Sequence, residues 1–154
     1  MKKTLILGIG NDILTDDGIG IRLIEDLRTM NYPKDITFLT ITLGGLETLE
    51  IIKDYQKVIF LDAIMTENGI PGSVYCYSVN DFKETLHLSN LHDINFLTAL
   101  ELGKKLGIPI PDDIKIIAVE VIEDRVFGKE LTPLLQQKYP EILGTVKQII
   151  GKEF

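Results

Sequence analysis

The chain has 154 residues, 45% of them hydrophobic, with 16 lysines and arginines against 23 aspartates and glutamates and a formal net charge of −7. That length makes one ordinary domain, 1–154, with a single well-buried core, and the acidic balance argues against nucleic acid or an anionic membrane as the main partner. A single cysteine, Cys76, excludes an internal disulfide and fits a reducing, cytoplasmic compartment, and no apolar run reaches the roughly 18 residues that a membrane span needs.

Met1-Lys2-Lys3 followed by apolar residues has the outline of a signal peptide. The apolar run is only about seven residues long and ends in Asn11-Asp12 without a small-residue cleavage site, so a buried strand around Thr4-Leu5-Ile6-Leu7 is expected instead. The next stretch, Gly8-Ile9-Gly10-Asn11-Asp12-Ile13-Leu14-Thr15-Asp16-Asp17-Gly18-Ile19-Gly20, reads as a strand-to-helix loop. Its glycines let backbone turn sharply or approach a ligand closely. It is not a dinucleotide fingerprint, because Ile13 stands where the third glycine belongs, and no Gly-Lys-Ser/Thr ending makes it a phosphate loop. Asp16 and Asp17 would repel a pyrophosphate, so the loop suits a cation better than an anion.

A helix is expected from about Asp17 to Met30, with Leu23, Ile24, Leu27 and Met30 at helical spacing and Asn31-Tyr32-Pro33 as its stop. A strand over Ile36 to Ile41, a loop at Gly44-Gly45 and a helix over Leu46 to Tyr55 follow. Lys57 to Ala63 is the near-continuous apolar run of a buried parallel strand. Val74 to Val79 comes too soon after it for a helical crossover, which predicts an antiparallel edge strand. Asp81 to Leu88 reads as irregular or weakly helical, and Asn90 to Leu106 as a helix with a wide apolar surface formed by Ile94, Phe96, Leu97, Leu100, Leu102 and Leu106. A fifth strand over Lys115 to Val121 and a loop over Glu123 to Glu130 lead to a helix that starts at Thr132-Pro133, is kinked or broken at Pro140, and ends near Gly151. The alternation predicts an α/β fold, a three-layer α-β-α sandwich with a mostly parallel five-stranded sheet and right-handed crossovers.

Three groups can converge on such a sheet. Asp16 and Asp17 follow the first strand. Asp62 closes the apolar run Phe60-Leu61-Asp62-Ala63, and a lone buried charge is costly, so it should have a partner or a task; the alternative is a solvated residue at a strand end. His92 lies in the first turn of a helix for which Asn90 is the expected N-cap. The positive helix end favours the neutral imidazole that binds metals, while a surface histidine helping to cap the helix is the competing reading. His87 has no such setting. Two carboxylates and an imidazole form an O,O,N set with open metal positions. No His-Glu-x-x-His helix and no Gly-x-Ser-x-Gly elbow is present, and Cys76, in the middle of a strand, reads as a small core residue.

Gly8-Ile9-Gly10-Asn11, Asp16-Asp17-Gly18-Ile19-Gly20, Asp62-Ala63 after an apolar strand and His92 opening a helix resemble the hydrogenase maturation endopeptidases, as do the order of elements and the late Leu131-Thr132-Pro133 helix start. The resemblance implies a protease that removes a C-terminal extension from the precursor of a nickel–iron hydrogenase large subunit after nickel insertion. It implies metal contact by Asp17, Asp62 and His92, with nickel brought by the substrate. Many members carry Glu where Asp17 stands, one methylene longer. Many also have a Gly-Gly-Thr-type segment where Ile41-Thr42-Leu43 precedes Gly44-Gly45, a departure that bears on partner identity. Asp16 is a candidate base or helix cap. The expected partner is the large-subunit precursor, met by a monomer in the cytoplasm. The rival is a receiver-like phosphoacceptor domain using Asp62, against which stand the long gap from Leu7 to Asp16 and Ala118-Val119-Glu120-Val121 in place of a strand-five lysine.

Overall fold

The computed structural model describes residues 3–42, 45–85 and 91–154, and of residues 83–85 and 91–95 it describes the backbone only. Its strands are β1 (Thr4–Ile9), β2 (Ile36–Ile41), β3 (Lys57–Ile64), β4 (Val74–Ser78) and β5 (Asp113–Glu120). Its helices are α1 (Ile19–Arg28), α2 (Leu46–Ile52), α3 (Val79–Thr85), α4 (Leu91–Lys105) and α5 (Pro133–Gly151), and a 3-10 turn at Thr15–Gly18 precedes α1.

The strand order is β2-β1-β3-β5-β4, parallel except for β4, which pairs antiparallel with β5 at the edge. Side-chain alternation then divides the core in two. Ile6, Ile59, Leu61, Ala63 and Ile117 face α1 and α5, whereas Leu5, Leu7, Val58, Phe60 and Ala118 face α2 and α4. Leu5, Ile6 and Leu7 are fully buried in this sheet, as expected of a strand covered on both sides.

Several boundaries differ from the sequence expectation. The first helix starts two residues later, at Ile19, because Thr15–Gly18 forms the tighter 3-10 turn. The second stops at Ile52, and the stretch after β4 is helical from Val79 to Thr85, with Phe82 fully buried. On α4, Phe96, Leu97 and Leu100 are buried, but Leu102 is exposed, as is Leu106 just past the helix end, so the described apolar face is narrower than expected; the side chain of Ile94 lies outside the described residues. α5 runs unbroken through Pro140, since burial of Leu135, Ile142 and Val146 on both sides of the proline outweighs the loss of one helical hydrogen bond. Cys76 is exposed on edge strand β4 and is not a core residue.

The receiver-like alternative is not supported. Flavodoxin-like sheets of that kind place strand four between strands three and five, whereas here β5 lies against β3 and β4 is an antiparallel edge.

Candidate active site

The chain leaves β1 for β2 on one side and returns past β1 to build β3 on the other. The crevice outside the carboxyl ends of β1 and β3 is therefore the switch point where open α/β sheets bind ligands. Close packing shapes it. A Cβ on Gly20 would meet the carbonyl oxygens of Leu61 and of Ile9, the latter at 2.9 Å, and one on Gly8 would meet the Gly20 carbonyl at 2.6 Å. Only glycine at both places lets α1 seat directly on the ends of these two strands.

Asp17 lies at this crevice, 1% exposed, and its Oδ2 accepts the Asn11 N–H at 2.9 Å. Asp62 is 3% exposed and its Oδ1 accepts the N–H of Ala63 at 2.8 Å. β3 does not end there but continues to Ile64, so the solvated strand-end reading of Asp62 fails. By alternation Asp62 shares a face with Val58 and Phe60, the side covered by α2 and α4.

His92 is the second residue of α4, as the sequence expectation required; its side chain, together with His87 and the Asn90 cap, lies outside the described residues. Backbone register nevertheless locates the position. The Phe60 and Phe96 rings pack at a centroid distance of 4.4 Å and 56°. Position 92 is one helical turn before Phe96, roughly 6 Å along the axis, and Asp62 is two residues beyond Phe60, roughly 6.6 Å along the strand. α4 leads into the start of β5, so it runs antiparallel to β3, and both displacements point the same way. Position 92 and Asp62 come level at the carboxyl end of the sheet.

Asp16 is fully buried and faces elsewhere. Its Oδ2 accepts the N–H groups of Ile122 at 3.2 Å and Glu123 at 3.1 Å and the Thr132 hydroxyl at 2.9 Å, and its Oδ1 accepts the Thr132 N–H at 2.7 Å. Thr132 therefore starts α5 without the usual side-chain cap on its own helix, and the Asp16 carboxylate occupies the positive end of that helix instead.

Two further acids belong to this rim, one with a signal in the sequence and one without. Glu120 ends β5 as a 1% exposed carboxylate; Oε2 accepts the Thr66 N–H at 2.9 Å and Oε1 the Thr66 hydroxyl. It pins the loop that follows Asp62. Its signal, an acid closing an apolar strand, is the one that marked Asp62. Asp124 has no sequence signal, because only the fold of the β5–α5 loop brings it near Asp17. Burial pushes the Asp124 carboxyl above its ordinary range, and the Asp17 charge pushes it further.

Among the described residues no three His, Cys, Asp or Glu side chains gather to hold a metal; the expected set requires His92. A cleft of about 480 Å³ opens on the other face of the loop, between α1 and α5, with Arg22, Asp26 and Tyr139 among its walls. Neither Asp17 nor Asp62 lines it. Val126 and Phe127 in the β5–α5 loop are 59% and 80% exposed.

Residues 21–149 match the family model described as HycI, hydrogenase maturation protease. The hydrogenase expression/formation protein HupD of Bradyrhizobium diazoefficiens is 25% identical over 156 residues, covering 98% of this chain and 79% of that one. Among solved structures, the hydrogenase maturating endopeptidase HybD from E. coli superposes with a TM-score of 0.83 at 23% identity, over 98% of this chain and 93% of that one, a likeness of fold. The hydrogenase 2 maturation peptidase from Thaumarchaeota archaeon SCGC_AB-539-E09 has a TM-score of 0.67 at 28% identity, over 97% of this chain and 99% of that one.

Proposed function

Since this chain belongs to the hydrogenase maturation protease family, we propose that it removes the C-terminal extension of a nickel–iron hydrogenase large-subunit precursor once nickel has been inserted. The observation that carries this reading is the register set by Phe60 and Phe96, which brings position 92 level with buried Asp62 beside the Asp17 loop. Asp17, Asp62 and His92 are the residues assigned to contact nickel, which arrives as part of the substrate.

Contact with the metal at three points orients the precursor, so that its scissile bond lies beside the glycine loop and needs no further search. The metal supplies Lewis acidity at the neighbouring carbonyl or water, and a carboxylate on the rim takes up the proton of the attacking water. Burial of Asp17 and Asp62 keeps bulk water from competing for the cation and strengthens the attraction. The protein works in this reading as a cytoplasmic monomer that reads the metal state of its client.

The test is a processing assay on candidate large-subunit precursors with and without nickel, read by mass spectrometry of the C-terminal peptide. Release only from nickel-loaded precursor is expected. Equal release from nickel-free precursor would refute metal reading.

A further inference from the structure

We propose that Asp16 is a positioning residue, whose carboxylate clamps the 122–132 loop onto the turn bearing Asp17 and so fixes where Asp17 meets the substrate's metal. The inference rests on the reading of Asp17 just given.

Four donors converge on this one side chain, the N–H groups of Ile122, Glu123 and Thr132 and the Thr132 hydroxyl. The attachment is reciprocal, because the Asp16 N–H also donates to the Glu123 carbonyl at 3.0 Å. Further bonds continue the seam. Gly128 N–H donates to Ile13 O at 2.9 Å, Thr15 N–H to Gly128 O at 2.9 Å, and the Thr15 hydroxyl to Val126 O. Thr15 itself has φ 53°, a left-handed conformation that a β-branched residue adopts only when its surroundings impose it. The loop thus holds a strained turn directly before the two aspartates.

The chemistry of the site requires an anion. Every group facing Asp16 is a donor, so an amide at this position would turn its NH2 toward another N–H whichever way it flipped. A general base must offer a lone pair to water or substrate, but the Asp16 oxygens are fully buried and directed at the loop. Asp16 therefore acts through Asp17 rather than on the reacting atoms.

Asp16→Asn, Thr132→Val and Thr132→Ser test this in the full chain, with amide exchange and processing kinetics on nickel-loaded precursor. In Asp16→Asn, exchange at Ile122, Glu123 and Thr132 should accelerate at least about tenfold while the sheet amides stay protected. Its kcat should drop by about 10- to 100-fold with little change in KM, as for groups that orient a metal-contacting residue. Thr132→Val should lower kcat by a smaller factor, and Thr132→Ser, which keeps the hydroxyl, should restore it. The proposal is overturned if the three amides keep their protection in Asp16→Asn, or if activity per folded molecule is unchanged. It is also overturned if Asp16→Asn abolishes the acid limb of the pH–rate profile while Thr132→Val has no effect, the pattern of a base. A wild-type chain that processes no precursor would refute the functional reading, while the exchange data would still decide the clamp.

Discussion

At the amino end of the sheet, Lys57 reaches Asp113 at 3.3 Å and also Glu153, and Lys115 reaches Glu153 at 2.7 Å. At the carboxyl end, the bonds at buried Asp16 and Glu120 come from backbone N–H groups and threonine hydroxyls. Both rims concentrate charge, but the first neutralises it with opposite charge and the second holds anions with dipoles. Paired ions at the first rim tie the end of α5 to the sheet and leave little field for a partner. Anions held by dipoles keep their net charge, so the second rim retains a field that attracts a cation. The direction of the carboxyl shifts follows this division. Although burial pushes Glu153 up, hydrogen bonds from Lys115 and Lys57 outweigh it and hold its carboxyl below the ordinary value. Asp124, near Asp17, is pushed up by burial and by like charge.

The largest effect should come from the rim that keeps its charge. Asp62→Ala and His92→Ala should each slow nickel-dependent processing by more than about 100-fold, at or beyond the upper range seen for disturbed metal-site partners, with thermal stability little changed. Normal processing by His92→Ala would remove the histidine from the site. Neutralising Lys115 at the other rim should leave the rate unaltered.

Next in size is the packing that holds Glu120. A Cβ on Gly69 would fall inside the Glu120 carboxyl group and against the Thr66 hydroxyl. Gly69→Ala should therefore expel the carboxylate from its bonds and cost about 1–3 kcal/mol, the range for overpacking a well-filled site. Denaturant unfolding measures it; a loss below about 0.5 kcal/mol, the scale of ordinary surface changes, would mean that the loop yields freely.

The smallest effects are opposite pH dependences. Glu153 is depressed below its usual 4.5, so its contribution to stability is complete above that value and is lost as pH falls through the lowered folded pKa. Glu153→Gln should flatten that acid loss. Asp124 is raised above 3.8, so its ionisation opposes folding, and stability falls as pH rises from 3.8 through the raised value. Asp124→Asn should thus modestly raise the melting temperature at neutral pH. Melting curves taken at several pH values for both variants check the two signs, and equal signs would erase the distinction between the rims.

Much of the architecture follows from local pattern. Val58-Ile59-Phe60-Leu61 could only be a strand covered on both faces, and the short interval before Val74 required an antiparallel edge. Thr132-Pro133 marked the start of α5 because proline suits a first turn. Pro140 misled, since a local penalty is visible in the sequence while the compensating burial of Leu135, Ile142 and Val146 is not. Cys76 misled for a similar reason, because the edge position of its strand was legible while the extent to which helices cover each face of that strand was not.

The Gly8–Gly20 loop with its two aspartates, the acid in the third strand and the histidine opening a helix were legible because each is a departure from a local pattern. What separates Asp16 from Asp17 was not. The two are adjacent and chemically identical, and their difference lies in what each carboxylate accepts: the Asn11 N–H of the same loop for Asp17, and the N–H groups of Ile122, Glu123 and Thr132 for Asp16. The donors to Asp16 are more than 100 residues away in sequence. Local periodicity carries no information about contacts at that separation; the strand order and the fold of the β5–α5 loop decide them. Local pattern is enough to say which chemical groups are present and on which elements they stand, whereas the long-range packing of the β5–α5 loop sets which of the two aspartates that loop holds.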